Sequence, residues 1–167
     1  MRPFLLFVAC AALSAGAGTA RAQSAQISVQ AGLGPQVTVT GQQNLSFGSG
    51  LFPGVARSVD PRTGATAARF YLTGASGDEV SITVNVPSQL VGPTSGLPID
   101  TWRYCSGFTA TQANCVLEST MPFTRTLTVT ATGEMWVWVG ATARPTAGQR
   151  AGTYTGVIEL VAAYTGN

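Results

Sequence analysis

The sequence predicts an all-β protein, an antiparallel β-sandwich, and three observations support this. Apolar and polar residues alternate in short runs, as in strands with one buried and one exposed face. Thr and Val, which favour strands, are frequent, and the 20 glycines include many in the turns between runs. No segment after residue 22 repeats its apolar residues with the period of a helix. Short strands separated by turn signals indicate two packed antiparallel sheets.

Eight runs have the strand pattern, and Gly, Pro, Asn or Asp lie between them. The dipeptide Thr132-Gly133 separates two strongly alternating runs and predicts a tight hairpin. Residues 87–122 contain few strand signals and are predicted to form a variable tip, where any adhesive activity would lie. The runs are Ala25–Leu33, Gln36–Thr40, Asn44–Phe47, Ala67–Leu72, Val80–Val86, Thr124–Ala131, Glu134–Ala141 and Thr153–Tyr164.

The first 22 residues have the pattern of a signal peptide. Arg2 supplies a positive charge, and the apolar run from Phe4 to Leu13 is too short to span a bilayer. Ala20-Arg21-Ala22 has the A-x-A form of a cleavage site, so we expect cleavage before Gln23.

Three parts of the chain follow from this reading: a signal peptide at 1–22, an N-terminal strand at 23–34 and a sandwich domain at 35–167. We expect an exported protein in the periplasm, at the cell surface or outside the cell. No membrane span is expected after cleavage.

The charged residues argue against nucleic-acid binding and against catalysis. The chain has nine basic residues, all Arg, and no His. Without Arg2 and Arg21, seven arginines balance seven acidic residues, whereas nucleic-acid binding needs a basic stripe. General acid–base catalysis usually uses His, Lys or paired carboxylates. We expect no enzyme, no cofactor, no metal site and no nucleic-acid partner.

Two cysteines, Cys105 and Cys115, remain after cleavage. An oxidising compartment favours a disulfide between them, and closing so short a loop stabilises the fold by about 2–3 kcal/mol. The alternative, a thiolate nucleophile, lacks any His partner in this chain.

Both ends of the processed chain are apolar strands. The C-terminal run, Thr153–Tyr164, is about twice the usual strand length. The N-terminal run is apolar at every second position, which gives a ribbon with one apolar side. This ribbon either completes its own sandwich or is donated to the sheet of a neighbour. Its apolar residues are Ala25, Ile27, Val29, Ala31 and Leu33.

Trp136 and Trp138 share one face of a predicted strand. If the opposite face is the core, both rings point outward and form a possible stacking site for a ligand. The alternative is that loops or a second layer cover this face.

Several motifs resemble a family of bacterial exported domains of unknown function that is similar to spore-coat-U-like domains and to archaic chaperone–usher pilins. The resemblance covers most of the processed chain, although the cysteine pair lies mid-chain and not in the early position common in spore-coat-U-like domains. The motifs are Asn44–Gly48, Phe52–Gly54, Ser58–Pro61, Ala68–Phe70, Leu72–Gly74 and Ala151–Gly156, followed by an apolar strand and Tyr164.

The resemblance implies an immunoglobulin-like sandwich that a donated strand completes. In such pilins a groove lies beside the final strand, a periplasmic chaperone fills it, and the N-terminal extension of the next subunit replaces the chaperone at an usher. The five apolar residues of the ribbon are then the donor residues. The implied groove or chaperone contacts are Gly152, Tyr154, Ile158, Leu160 and Tyr164.

We therefore expect a structural or adhesive surface subunit that polymerises by strand complementation. The alternative is a self-complete secreted module that binds a carbohydrate or a protein.

Overall fold

A computed structural model of the chain describes residues 36–93, 95–128 and 133–166. These residues form ten strands and one short 3₁₀ turn, with no α-helix among them, which confirms the predicted all-β class. The strands are β1 Thr38–Gln43, β2 Arg57–Val59, β3 Ala68–Gly74, β4 Glu79–Asn85, β5 Gln89–Leu90, β6 Leu97–Gly107, β7 Val116–Glu118, β8 Phe123–Thr126, β9 Gly133–Ala143 and β10 Glu159–Tyr164.

The strands form two antiparallel sheets that pack as a sandwich. The large sheet has the order β1-β3-β9-β6-β5, and in addition β2 pairs with β9 and β7 pairs with β6. The small sheet has the order β10-β4-β8. The edge strands β1 and β10 lie against each other on one lateral side. On the other side, β8 of the small sheet approaches β6 and β7 of the large sheet.

The core lies between the inner faces of the sheets. In β4, Val80, Ile82 and Val84 are buried while Ser81 and Thr83 are not, as the alternation predicts. The matching inner face of β9 carries Met135, Val137 and Val139, which share one buried cluster with the β4 residues. Burial of each such Val or Ile contributes roughly 1.5–3 kcal/mol before chain entropy is counted. A second cluster, around Phe47, Leu97 and Ile99, lies at one end of the sandwich.

The prediction that residues 87–122 form a tip with few strands is wrong, because the middle of this segment is β6, an interior strand of the large sheet. This strand pairs with β9 over most of its length. Leu97 and Ile99 point inward, the pairing register then shifts, and Thr101 has a φ of 50°. After the shift, Trp102 and Tyr104 pack inward. A bulge reverses which positions face the core, so the single alternating pattern that marks a strand in the sequence is lost.

The predicted long C-terminal strand is also wrong in extent. Only β10, six residues long, pairs with β4, and its ladder ends at Glu159 opposite Asn85. Pro87 follows soon after Asn85 in the partner strand and has no amide hydrogen to donate. Residues 153–158 therefore leave the sheet, and a single bridge joins Thr155 to Val91.

Two further expectations fail in the structure. Asn44–Phe47 is an irregular segment and not a strand. The strands on either side of the predicted hairpin enter different sheets, because β8 pairs with β4 whereas β9 pairs with β3 and β6. Residues 129–132, which include Thr132 of the predicted turn, lie outside the described residues.

The N-terminal predictions and the expected absence of a membrane span relate differently to the described residues. The predicted signal peptide and the apolar ribbon, residues 1–34, lie outside the described residues. Within the part of the chain that the structure describes, no helix has the length and apolar character to cross a bilayer.

Candidate functional site

A groove with a volume of about 910 Å³ lies between the inner face of the large sheet and the segment that leads into β10 of the small sheet. We call it the inter-sheet groove. One wall is the chain after β1, residues 41–51, and the other is the segment before β10, residues 152–158. β3 and β6 supply further lining. The large apolar side chains that line it are Leu45, Phe47, Leu51, Phe70, Leu90, Leu97, Ile99, Trp102, Tyr154 and Ile158.

The groove is uncharged. No Asp, Glu or Arg is among the described residues that line it; the polar lining consists of Gln43, Asn44, two serines and two threonines. Gln43 already donates to two main-chain carbonyls, of Ala65 at 2.8 Å and Ala67 at 2.9 Å. The described lining therefore favours an apolar occupant.

Backbone at the edges of the sheets accompanies this apolar lining. β1 is the edge strand of the large sheet and β10 is the edge strand of the small sheet. Among the described residues each of these strands pairs on one side only, so alternate N–H and C=O groups on its other side have no strand partner within that part of the chain. The lateral side that contains the groove thus has both elements that bind an extended peptide, edge backbone and apolar pockets.

The C-terminal wall depends on a close contact between Tyr154 and Gly92. The Tyr154 ring lies so near Gly92 that a Cβ atom at that position would overlap it. Its hydroxyl donates to the Arg150 carbonyl at 2.7 Å. Two main-chain hydrogen bonds between Val91 and Thr155, of 2.7 and 2.9 Å, hold the same segment. The wall is therefore fixed although it is not a strand.

Of the five predicted groove contacts, three line the groove and two lie elsewhere in the structure. Gly152, Tyr154 and Ile158 line the inter-sheet groove. Leu160 is only 8% exposed and belongs to the core. The Tyr164 hydroxyl accepts the Ala75 N–H at 2.5 Å, beside Gly74, where a Cβ would come within 2.5 Å of that hydroxyl. Leu160 and Tyr164 therefore anchor β10 from inside and do not line the groove.

The opposite lateral side is bridged by a polar group that we call the Arg125 clasp, made by Arg125, Glu118 and Ser106. Arg125 on β8 donates to both carboxylate oxygens of Glu118 on β7, from Nε at 3.0 Å and from Nη2 at 2.9 Å. Ser106 on β6 donates to the same carboxylate. The Glu118 side chain is 7% exposed and that of Arg125 33%. A second cavity, of about 690 Å³, lies on this side, and Arg125 lines it.

The predicted disulfide is confirmed: Cys105 and Cys115 are bonded, with their Cα atoms 5.5 Å apart. It covers Trp138, which is 2% exposed and forms one buried cluster with the two cysteines. The outward exposure considered for both tryptophans therefore does not hold for Trp138, since the disulfide loop covers its ring. Trp136 stays partly exposed.

Phe70, Leu97 and Trp102 line the groove, and the sequence did not predict this role for them. Phe70 and Leu97 are ordinary strand residues in the sequence. Trp102 lies in the segment that was predicted to be a variable tip. Its inward direction follows from the reversal of alternation around Thr101. The predicted donor residues 25–33 lie outside the described residues.

Comparison with models of known protein families and with curated proteins finds no match to this chain. The resemblance carried by the sequence motifs therefore stays a prediction. Two features of the chain bear on its function, the groove and the apolar pattern of the N-terminal residues.

Proposed function

We propose that this protein is an exported structural or adhesive subunit that assembles by β-strand complementation, as pilin subunits of fimbriae do. The apolar ribbon of one copy, residues 25–33, inserts in the inter-sheet groove of the next. The observation that carries the proposal is the uncharged apolar groove beside two edge strands. The N-terminal pattern supplies a segment of matching chemistry.

The length and the pattern of the ribbon support this occupant. From residue 25 to residue 33 an extended chain covers roughly 26 Å, at about 3.3 Å per residue. In an extended ribbon all five apolar side chains would point to one side, and Gln, Ser and Gly would lie on the opposite side. Pairing the ribbon with edge backbone would supply main-chain hydrogen bonds, while the apolar side would enter the groove. Each buried Val, Ile or Leu would contribute roughly 1.5–3 kcal/mol.

Export and a chaperone follow from the same proposal. The signal-peptide pattern directs the chain to an oxidising compartment, and the Cys105–Cys115 disulfide is consistent with it. An empty apolar groove with unpaired edges would associate nonspecifically before assembly. A periplasmic chaperone that covers the groove, and an usher that exchanges it for the next subunit, would prevent this.

Deletion of residues 23–34 tests whether the ribbon is needed for assembly or for the fold. We expect the shortened chain to fold when a chaperone or a synthetic peptide of residues 23–34 is supplied, and to fail to form multimers. Circular dichroism and sedimentation velocity measure the two properties. Loss of folding that the added peptide does not restore would contradict strand donation and favour a self-complete module.

A finer test changes one side of the ribbon only. The variant Ile27→Asn with Val29→Asn places polar groups on the apolar side, and we expect it to remain folded and not to form multimers. The matched control, Gln26→Asn with Ser28→Asn, changes the opposite side and should form multimers as the unaltered chain does. Equal behaviour of the two variants would contradict a one-sided ribbon.

A further inference from the structure

The outer face of the large sheet, opposite the face that lines the inter-sheet groove, carries a group of aromatic and charged residues. Strands β3 and β9 pair so that Tyr71 lies opposite Trp136 and Thr73 lies opposite Glu134. The residues that alternate with them, such as Leu72 and Met135, are fully buried in the core. Tyr71, Thr73, Glu134 and Trp136 therefore face away from the small sheet.

Tyr71 and Trp136 form a fixed aromatic pair on this face. Their ring centroids are 4.7 Å apart and the ring planes are inclined by 41°. The Tyr71 hydroxyl donates to Oε1 of Glu134 at 2.8 Å, which fixes the direction of the phenol ring. Both rings are partly exposed. Because the sheet and this hydrogen bond already hold the rings, binding a ligand on them costs little side-chain entropy.

Polar groups with unused hydrogen-bonding capacity flank the rings. The neighbouring outward residue on β3 is Arg69, whose Nε is buried and has no hydrogen-bond partner. Such an orphaned donor is rare in native proteins. The second oxygen of Glu134, Oε2, accepts no hydrogen bond from any described residue. The exposed Thr40 hydroxyl lies in the same row, since Thr40 pairs with Tyr71.

These groups match the chemistry of a sugar ring. A pyranose has an apolar C–H face that packs on an aromatic ring, and a rim of hydroxyls that both donate and accept. A carboxylate accepts from two hydroxyls and a guanidinium donates to several. The charges of Arg69 and Glu134 cancel, so the face does not favour a highly charged polymer. We propose that Tyr71, Trp136, Glu134 and Arg69 form a binding site for an uncharged saccharide.

The site is compatible with the proposed assembly but does not depend on it. It lies on the outside of the large sheet, whereas the inter-sheet groove lies between the sheets. In a polymer every subunit would present one such site, and many weak sites on one particle give strong attachment to a surface that carries the sugar. A monomer would bind the same sugar weakly.

The test is binding of the processed chain to insoluble uncharged polysaccharides: cellulose, starch, mannan, galactan and chitin. The fraction of protein removed from solution measures binding at each polysaccharide concentration. We expect saturable binding to at least one of them. Trp136→Ala should weaken it by about ten-fold or more, the equivalent of roughly 1.4 kcal/mol. Absence of binding to all five would overturn the proposal.

Two further variants separate a sugar site from nonspecific adsorption and from misfolding. Phe52→Ala removes an aromatic ring that is 70% exposed and lies outside this group, and it should not change binding. Glu134→Gln keeps the size of the side chain, so we expect it to fold and to bind several-fold more weakly. If Phe52→Ala weakens binding as much as Trp136→Ala, or if Glu134→Gln binds as the unaltered chain does, the assigned site is wrong.

Discussion

The two lateral sides of the sandwich are built differently. Where β7 approaches β8, a buried carboxylate and a guanidinium join the two sheets. On the side of β1 and β10, the inter-sheet groove is lined by apolar and uncharged residues. The first side holds Glu118 and Arg125 in a two-point ion pair. The second side holds residues such as Leu45 and Ile158 around a cavity of about 910 Å³.

The two sides therefore differ in how the described residues close them. A paired ion that is nearly buried is specific in geometry and costly to separate. Among the described residues no such ion pair closes the apolar groove, and its burial by another chain would be favourable. The Arg125 clasp therefore joins the two sheets on one side, and the proposed strand donation would take place on the other side.

The largest expected effect comes from breaking the clasp. Arg125→Ala leaves the carboxylate of Glu118 buried without its cation, and we expect the free energy of unfolding to fall by about 3 kcal/mol. Denaturant unfolding under oxidising conditions measures this. Hydrogen exchange should rise in β7 and β8 and stay unchanged in β1 and β10.

The matched control replaces both partners. Arg125→Met with Glu118→Leu removes the buried charge together with its partner, so most of the lost stability should return. A loss below about 1 kcal/mol for Arg125→Ala alone would place the pair among ordinary surface ion pairs and remove the contrast between the two sides.

A smaller effect on stability, with a large effect on assembly, is expected at the groove. Ile158→Asn places an amide in the groove lining, and we expect it to lower the free energy of unfolding by roughly 1 kcal/mol and to abolish multimers. The adjacent Val157→Asn is the control, because Val157 is 80% exposed. Unfolding and sedimentation measure the two properties. Multimers that persist in Ile158→Asn would show that this wall is not used.

The smallest effect on stability is expected from the exposed ion pair between Arg144 and Asp100, with which the buried pair of the Arg125 clasp can be compared. Hydrogen bonds from Arg144 and Thr101 hold the pKa of Asp100 below its ordinary value. Because the folded-state pKa is depressed, this contribution to stability is present above the ordinary pKa and is lost as the pH falls through the folded-state value. Arg144→Ala should flatten the decline of the melting temperature between about pH 5 and pH 2. An unchanged pH profile would contradict the assignment.

The sequence predicts the fold correctly where a single alternation of apolar and polar residues runs through a whole strand. In β4 a single alternation runs from Val80 to Val84 without a bulge, so the sequence indicates both the strand and its buried face. In β6 the alternation reverses around Thr101, and two short patterns replace one long one. That reversal depends on pairing with β9, which a local pattern does not contain.

Some residues of the groove lining were predicted from the sequence, and others were not. The resemblance implied Tyr154 and Ile158 as groove contacts, and the structure places both in the groove lining. Alternation predicted one continuous strand over Thr153–Tyr164. It could not indicate that residues 153–158 leave the sheet, because that follows from Pro87 ending the ladder of the partner strand. The lining from Phe70 and Trp102 comes from distant strands, so only the assembled sandwich brings them to Ile158.

The most direct measurement is a cross-link between two preparations of the processed chain, one with Val29→Cys and one with Phe70→Cys, joined by a short thiol-reactive linker. Cys105 and Cys115 are bonded to each other and do not compete. We expect the mixture to give a dimer that contains one chain of each kind. If the mixture gives no such dimer, while a single chain with both substitutions cross-links internally, the ribbon completes its own sandwich and strand donation between copies is contradicted.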